Sequence, residues 1–170
     1  ALSMALGAGE TTLLRMVTGY AMLDNGGKQI KATFIDRIQD RYGRTIWRHD
    51  DRDCSNCAAR EWTGEQEPTL VDDRKQVIDP MSAFQMTNIM EGVVQSGTAQ
   101  KLKVLKRPIA GKTGTTNDSR DNWFIGSTPD LTIGIYVGFD EPRTLGEQET
   151  GGGTSAPVYE RIARVVFKDK

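Results

Sequence analysis

Gly111-Lys112-Thr113-Gly114-Thr115-Thr116 is the stretch of this chain whose residue types and spacing could do chemistry. A lysine between small residues on an extended segment puts a cation on a sheet surface beside hydroxyls, and Gly114 has no side chain to hold a ligand away from the backbone. Such a strand can accept an extended peptide as an added strand. Its amides then face a carbonyl, while Lys112 and the hydroxyls of Thr113 and Thr115 face a carboxylate. The chemistry it suits is recognition of an anionic peptide end. Two other readings compete. A phosphate-binding loop also ends Gly-Lys-Thr, but it requires an upstream glycine where this chain has Lys106, with a strand before the motif and a helix after it. Here the motif is itself strand-like and strands follow. The blander reading is an edge strand with an exposed lysine, since Lys-Thr-Gly is a short match that arises readily by chance.

The elements that must position this motif are legible in the apolar periodicity. Leu13, Leu14, Met16, Val17, Tyr20, Ala21 and Leu23 recur at helical spacing and predict a helix from about Thr11 to Asp24, ended by Asn25-Gly26-Gly27. Phe34, Ile35 and Ile38, then Thr45, Ile46 and Trp47 predict a hairpin around a turn ending in Gly43. From Arg48 to Lys75 the chain is charged and poor in apolar pattern, so a surface hairpin and loop insertion is expected over about 31–76. Asp79-Pro80 is a cap followed by proline at the first helical position, and Phe84, Met86, Ile89, Met90, Val93 and Val94 follow at helical spacing up to Gly97. Strands are expected over Ile109 to Thr116, Trp123 to Ser127 and Leu131 to Phe139. The last alternates apolar and small or polar residues, and Thr128-Pro129-Asp130 turns the chain between the last two. After Gly151-Gly152-Gly153, which serve a turn, with a place lining the mouth of a site as the other reading, Thr154 or Ser155 is expected to cap a final helix carrying Val158, Ile162, Val165 and Val166 toward the sheet. Helices, an antiparallel meander and a closing helix make an α+β fold, without internal repeat.

Composition narrows the function classes. The chain has 170 residues, 37% hydrophobic and 26% charged, which is a core-forming globular composition. Its apolar runs, such as Val165-Val166-Phe167, fall far short of the roughly 18 residues needed to span a bilayer. With a net charge of −1 and basic residues interleaved with acids, it has none of the long-range field of a nucleic-acid binder. The opening Ala-Leu-Ser-Met-Ala-Leu has neither initiator methionine nor basic n-region, so a natural start elsewhere is expected.

Lys112 to Asp118, then Arg120-Asp121-Asn122-Trp123-Phe124-Ile125-Gly126, Thr128-Pro129-Asp130-Leu131 and Gly138-Phe139-Asp140 together resemble the final strands of the transpeptidase domain of class A penicillin-binding proteins. Leu6 to Leu14 with Tyr20 and Asn25-Gly26-Gly27 is similar to the helix after that family's middle motif, and Gly152-Gly153 to Ala156-Pro157-Val158 to its tail. Nearly the whole chain is covered, except about Arg48 to Lys75. The family's motifs are Ser-x-x-Lys, Ser-x-Asn and Lys-Thr-Gly. None of the seven serines has Lys three positions on or Asn two positions on, so only the third motif is present. In the family the other two precede the helix with which this chain opens, which implies a C-terminal half of the domain.

The resemblance implies a β-lactamase/transpeptidase-like fold and a peptidoglycan D-alanyl-D-alanine transpeptidase acting through a serine acyl-enzyme. Lys112 would supply positive potential for the substrate carboxylate. Thr113 and Thr115 would bind that carboxylate or a β-lactam's, Gly114 would let the substrate lie close, and Thr116 would border it. The Thr115 amide would be one oxyanion donor. Implied partners are the stem peptide, β-lactams, the N-terminal half of the same domain and a glycosyltransferase domain, on the periplasmic face of a bacterial inner membrane, with no cofactor. A non-catalytic binding module of the same fold is the alternative, separated by whether Ser-x-x-Lys and Ser-x-Asn stand beside Lys112.

Cys54 and Cys57 admit a redox pair, half a zinc site or a local disulfide. Asp50, Asp51 and Asp53 disfavour a thiolate, and only His49 stands nearby as a further zinc ligand. The oxidising compartment that the resemblance implies favours a structural disulfide, and no metal. His49, the only histidine, is read as a solvated loop residue, and Trp123 and Phe124 as core and strand-pairing residues.

Overall fold

Thr12 opens helix α1 (Leu13–Asp24) by accepting the Arg15 amide on its hydroxyl, and the chain leaves the helix through Gly26 and Gly27 with φ of +67° and +83°. The computed structural model describes residues 2, 9–52, 54, 57, 61, 64 and 70–168. They form two compact units, Ala1–Ile30 with Gln76–Lys170, and Lys31–Lys75.

In the smaller unit β1 (Arg37–Gln39) pairs antiparallel with β2 (Thr45–Arg48). The Asp40 carboxylate holds the turn by accepting the amides of Tyr42 and Arg44 at 2.8 and 3.0 Å. Phe34 and Ile35 fall outside the first strand, contrary to the expectation from their apolar character. The Thr33 hydroxyl bonds both the amide and the carbonyl of Ile35, a local turn that competes with the ladder. Cys54 and Cys57 are joined as a disulfide with Cα atoms 5.6 Å apart. His49 is half-buried, its ring 6.3 Å from that of Trp47.

In the larger unit α2 (Pro80–Gln95) begins at the expected cap, where the Asp79 carboxylate accepts the Ser82 amide at 2.8 Å. A short 3₁₀ segment, Gln100–Leu105, leads to the sheet. That sheet is β3 (Ala110–Thr115), β4 (Asp121–Ser127) and β5 (Thr132–Gly138), antiparallel in the order β3-β4-β5. This is the expected meander. Register pairs Lys112 with Ile125, Thr113 with Phe124 and Gly114 with Trp123, and Phe124 in turn with Ile135. Because paired residues share a face, Thr113, Thr115, Asn122, Phe124 and Ile135 lie on one side, and Lys112, Gly114, Trp123, Ile125 and Gly134 on the other.

The first face is the core. Phe124 meets Tyr159 edge to face at 5.0 Å, within a buried cluster including Val94, Leu102, Ile109 and Ala163. The opposite face receives α1, and Gly134 makes that possible: a Cβ there would stand 2.3 Å from a Val17 methyl.

The closing helix α3 (Ala156–Val166) departs from its sequence reading in two ways. Its buried residues are Ala156, Tyr159 and Ala163, continued by Phe167, whereas Val158, Ile162, Val165 and Val166 are exposed. Two alanines let the helix approach closely enough for the Tyr159 ring to reach Phe124, a gain that branched side chains at the interface would block. Nor does Thr154 or Ser155 cap it. A single π turn, Gly151–Ser155, precedes the helix, and the Gly153 amide is shared between the Thr150 carbonyl at 2.9 Å and the Thr150 hydroxyl at 3.1 Å. The Ser155 hydroxyl instead donates to the Asn122 carbonyl at 2.9 Å.

Asp24 fastens α1 to the rest of this unit, accepting the hydroxyls of Ser127 and, at 3.1 Å, Thr87. Burial raises its carboxyl pKa above the ordinary value, and the two hydroxyl hydrogen bonds offset that only in part. A raised folded pKa means that protonation favours the fold: the stabilisation is full below the unfolded pKa and is lost as pH rises through the folded one. Asp24→Asn keeps the shape without the charge, and Ser127 can turn its proton to Thr132, 3.0 Å away. It should raise the melting temperature at pH 7 by roughly 1–2 °C, a small figure because the half-exposed carboxylate is screened by solvent. The gain should vanish near pH 4 in parallel thermal melts of the full-length protein.

Candidate active site

Strand β3 is an edge strand, paired on one side only among the described residues. Its first two residues, Ala110 and Gly111, are buried, while Lys112 and Thr115 are exposed and Thr113 and Gly114 half-buried. The phase of its ladder follows from the turn into β4. The Thr116 amide donates to the Asp121 carbonyl at 3.0 Å, and these residues are the next pair after Thr115 and Asn122. Hydrogen-bonded and non-hydrogen-bonded pairs alternate in an antiparallel ladder. Gly114 therefore spends its amide and carbonyl on Trp123, while the amides and carbonyls of Thr113 and Thr115 point away from β4 to the open edge.

Three kinds of group converge on that edge. Lys112, from one face, bends its ammonium to the Thr113 carbonyl at 2.6 Å, which uses one of its three donors. From the other face, the Thr113 hydroxyl lies 2.7 Å from the Thr98 hydroxyl, and the Thr115 hydroxyl accepts the Gly151 amide at 3.1 Å. A hydroxyl has one proton and two lone pairs. The Thr98–Thr113 contact consumes one of two protons, and Thr115, an acceptor there, keeps its own. The Thr115 amide completes the set. A cation, an edge amide and free hydroxyl protons within one short strand can bind a carboxylate and polarise a carbonyl.

The structure thus brings Lys112, Thr113, Gly114 and Thr115 together at one edge. Thr116 follows at the turn, its hydroxyl accepting the Asp121 amide at 2.8 Å. Phe124 is fully buried in the core, and half-buried Trp123 packs against Tyr136 with ring centroids 4.7 Å apart and planes tilted by 57°. Sequence reasoning missed Thr98 and the full part of Gly151 and Gly152. These glycines do more than turn the chain, because they lie directly on β3. A Cβ on Gly151 would come within 2.4 Å of the Trp123 carbonyl and 2.5 Å of the Gly114 carbonyl. The Gly-Gly-Gly run was a visible signal for such an approach, whereas nothing in sequence marks Thr98. Among the described residues no cluster of histidine, cysteine or carboxylate side chains is placed to hold a metal.

The meander that begins with the Lys112 edge strand, together with its helices, makes an α+β fold shared with penicillin-binding transpeptidase domains. The chain superimposes along its whole length on a crystal structure of penicillin-binding protein 1A from Haemophilus influenzae, covering 28% of that chain, with a TM-score of 0.82 at 29% identity. The D,D-transpeptidase domain of a peptidoglycan glycosyltransferase from Eggerthella lenta matches 94% of this chain and 33% of its own with a TM-score of 0.62. At 20% identity that likeness speaks for the fold alone. The family model described as the penicillin binding protein transpeptidase domain matches residues 1–164. Penicillin-binding protein 1A of Rickettsia bellii is 42% identical over 99% of this chain, and that of Neisseria gonorrhoeae 39% identical over 99%. The chain belongs to the penicillin-binding protein transpeptidase family, and it spans 22% and 19% of the length of those two relatives.

Proposed function

We propose that the protein containing this chain is a peptidoglycan D,D-transpeptidase, and that the chain forms the Lys-Thr-Gly wall of its active site. The observation that carries the reading is the open β3 edge on which Lys112, the Thr115 amide and the hydroxyls of Thr113 and Thr115 converge. A D-alanyl-D-alanine stem peptide, or a β-lactam, lies along that edge. Its carboxylate takes the charge of Lys112 and lies against the hydroxyls of Thr113 and Thr115, and its scissile carbonyl faces the Thr115 amide as one oxyanion donor. Gly114 offers no side chain to block the approach. The nucleophilic serine, its lysine and the Ser-x-Asn motif belong to the part of the domain that precedes this chain, whose segment 31–75 is an insertion. The serine is acylated with loss of D-alanine, and an amine of a second stem then attacks the acyl-enzyme to form the cross-link.

The same reading places the protein on the periplasmic face of a bacterial inner membrane, beside a glycosyltransferase domain. A structural Cys54–Cys57 disulfide suits an oxidising compartment. None of the described helices is long and apolar enough to cross a membrane. Incubating the full-length protein with labelled penicillin tests the assignment. One stoichiometric covalent adduct, on a serine outside residues 1–170, is expected. Absence of any adduct would instead favour a non-catalytic binding module of the same fold.

A further inference from the structure

We propose that Thr98 is a positioning residue for carboxylate binding, holding the Thr113 hydroxyl so that its proton points out along the β3 edge. The inference rests on the proposed transpeptidase reading and extends it to a residue outside the Lys-Thr-Gly strand.

The two hydroxyl oxygens are 2.7 Å apart, a full-strength hydrogen bond between side chains fifteen positions apart in sequence. Alone, the Thr113 hydroxyl could rotate and spend its proton on a neighbouring carbonyl. With Thr98 as donor, a lone pair of Thr113 is occupied and its own proton is left for a third partner. Thr98–OH to Thr113–OH to carboxylate is then a chain in which each bond polarises the next. The far donor is neutral, so it adds direction to the charge that Lys112 supplies.

Thr98 is itself held in place. It follows the exit of α2, where the Gly97 amide bonds the Gly92 carbonyl at 3.0 Å and the Ala99 amide bonds the Val93 carbonyl at 3.0 Å. Ala99 is buried, which anchors the backbone on one side. On the other side lies Gly152: a Cβ there would stand 2.4 Å from the Thr98 carbonyl and 3.8 Å from the Thr113 methyl. The glycine segment on β3 therefore touches both threonines, and its neighbour Gly151 gives its amide to Thr115. Thr98 and Gly151 form a bracket that engages one lone pair on each of the two strand hydroxyls and leaves their protons to the ligand. Thr98 is exposed, so its side chain carries little of the core and can be changed without a cavity.

Labelling kinetics of the full-length protein with a fluorescent penicillin, resolved into a half-saturating concentration and a limiting rate, decide the matter. Thr98→Val, which keeps the shape and loses the donor, should raise the half-saturating concentration about tenfold and change the limiting rate less than about twofold, as the loss of one directed hydrogen bond requires. Thr98→Ala should match it, and Thr98→Ser, with the hydroxyl restored, should lie within about twofold of wild type. In a Thr113→Val background the Thr98→Val change should have no further effect, because its only target is gone. Wild-type kinetics in both Thr98→Val and Thr98→Ala, failure of serine to rescue, or effects that multiply in the double variant would overturn the assignment. A wild-type protein that takes no label would sink the transpeptidase reading and this inference with it. Normal wild-type labelling with any of the other results removes Thr98 alone.

Discussion

Lys112→Ala in the full-length protein is expected to lower the second-order rate of acylation by penicillin by roughly a hundredfold or more. The size follows from where the ammonium is held. It reaches the open edge of β3 through a 2.6 Å bond to the Thr113 carbonyl, with two donors left and a strand of small residues around it. A ligand carboxylate arriving there excludes water from the contact, and a charge pair in such a place is worth several times its value on an open surface. Lys112→Arg should recover only part of the loss, since the planar guanidinium cannot repeat the point contact of an ammonium. Stopped-flow or gel-based labelling measures the rates directly. Wild-type acylation in Lys112→Ala would return the residue to the status of an exposed edge lysine and leave the proposed function without its cation.

Expressed without the rest of the protein, residues 1–170 are expected to give no cooperative thermal melt, no native-like near-UV circular dichroism and no penicilloyl adduct. The third expectation rests on the absence of Ser-x-x-Lys and Ser-x-Asn from these residues. The first two rest on surface. No residue of α1 is fully buried, and Leu13 and Leu14 are open to solvent. On α2, Met81, Phe84 and Ile89 are 73%, 71% and 65% exposed while Ala83, Met90 and Val94 on the other side are buried, so the helix is apolar on two faces and uses one. A helix of that kind belongs between two layers. Together with an unpaired β3 edge, this surface invites association unless further chain covers it. A core shared by so few elements has little margin over chain entropy. Sedimentation, a melt and intact-mass spectrometry after penicillin treatment are the measurements. A soluble monomer with a sharp transition would show that these residues fold by themselves and would support an independent binding module.

The chemistry was legible where it depended on neighbours in sequence. Lys112, Thr113, Gly114 and Thr115 belong to one strand, so their types and alternation already implied a cation and hydroxyls around an accessible backbone. The same holds for the Asp79-Pro80 start of α2 and the meander of β3, β4 and β5, since a cap and a period of two are properties of a few consecutive residues. Tertiary structure decided what those local rules leave open. The hydrophobic pattern of α3 offered Val158, Ile162, Val165 and Val166 as its inner face, yet the sheet took Ala156, Tyr159 and Ala163. Periodicity counts apolar residues and cannot weigh how closely two backbones may approach. The 2.7 Å bond between Thr98 and Thr113 and the amide that Gly151 gives to Thr115 join residues 15 and 36 positions apart. Such pairs exist only once α2, β3 and the turn before α3 are packed. The sequence therefore names the groups on the strand, and the packing sets which distant groups come within hydrogen-bond reach of them.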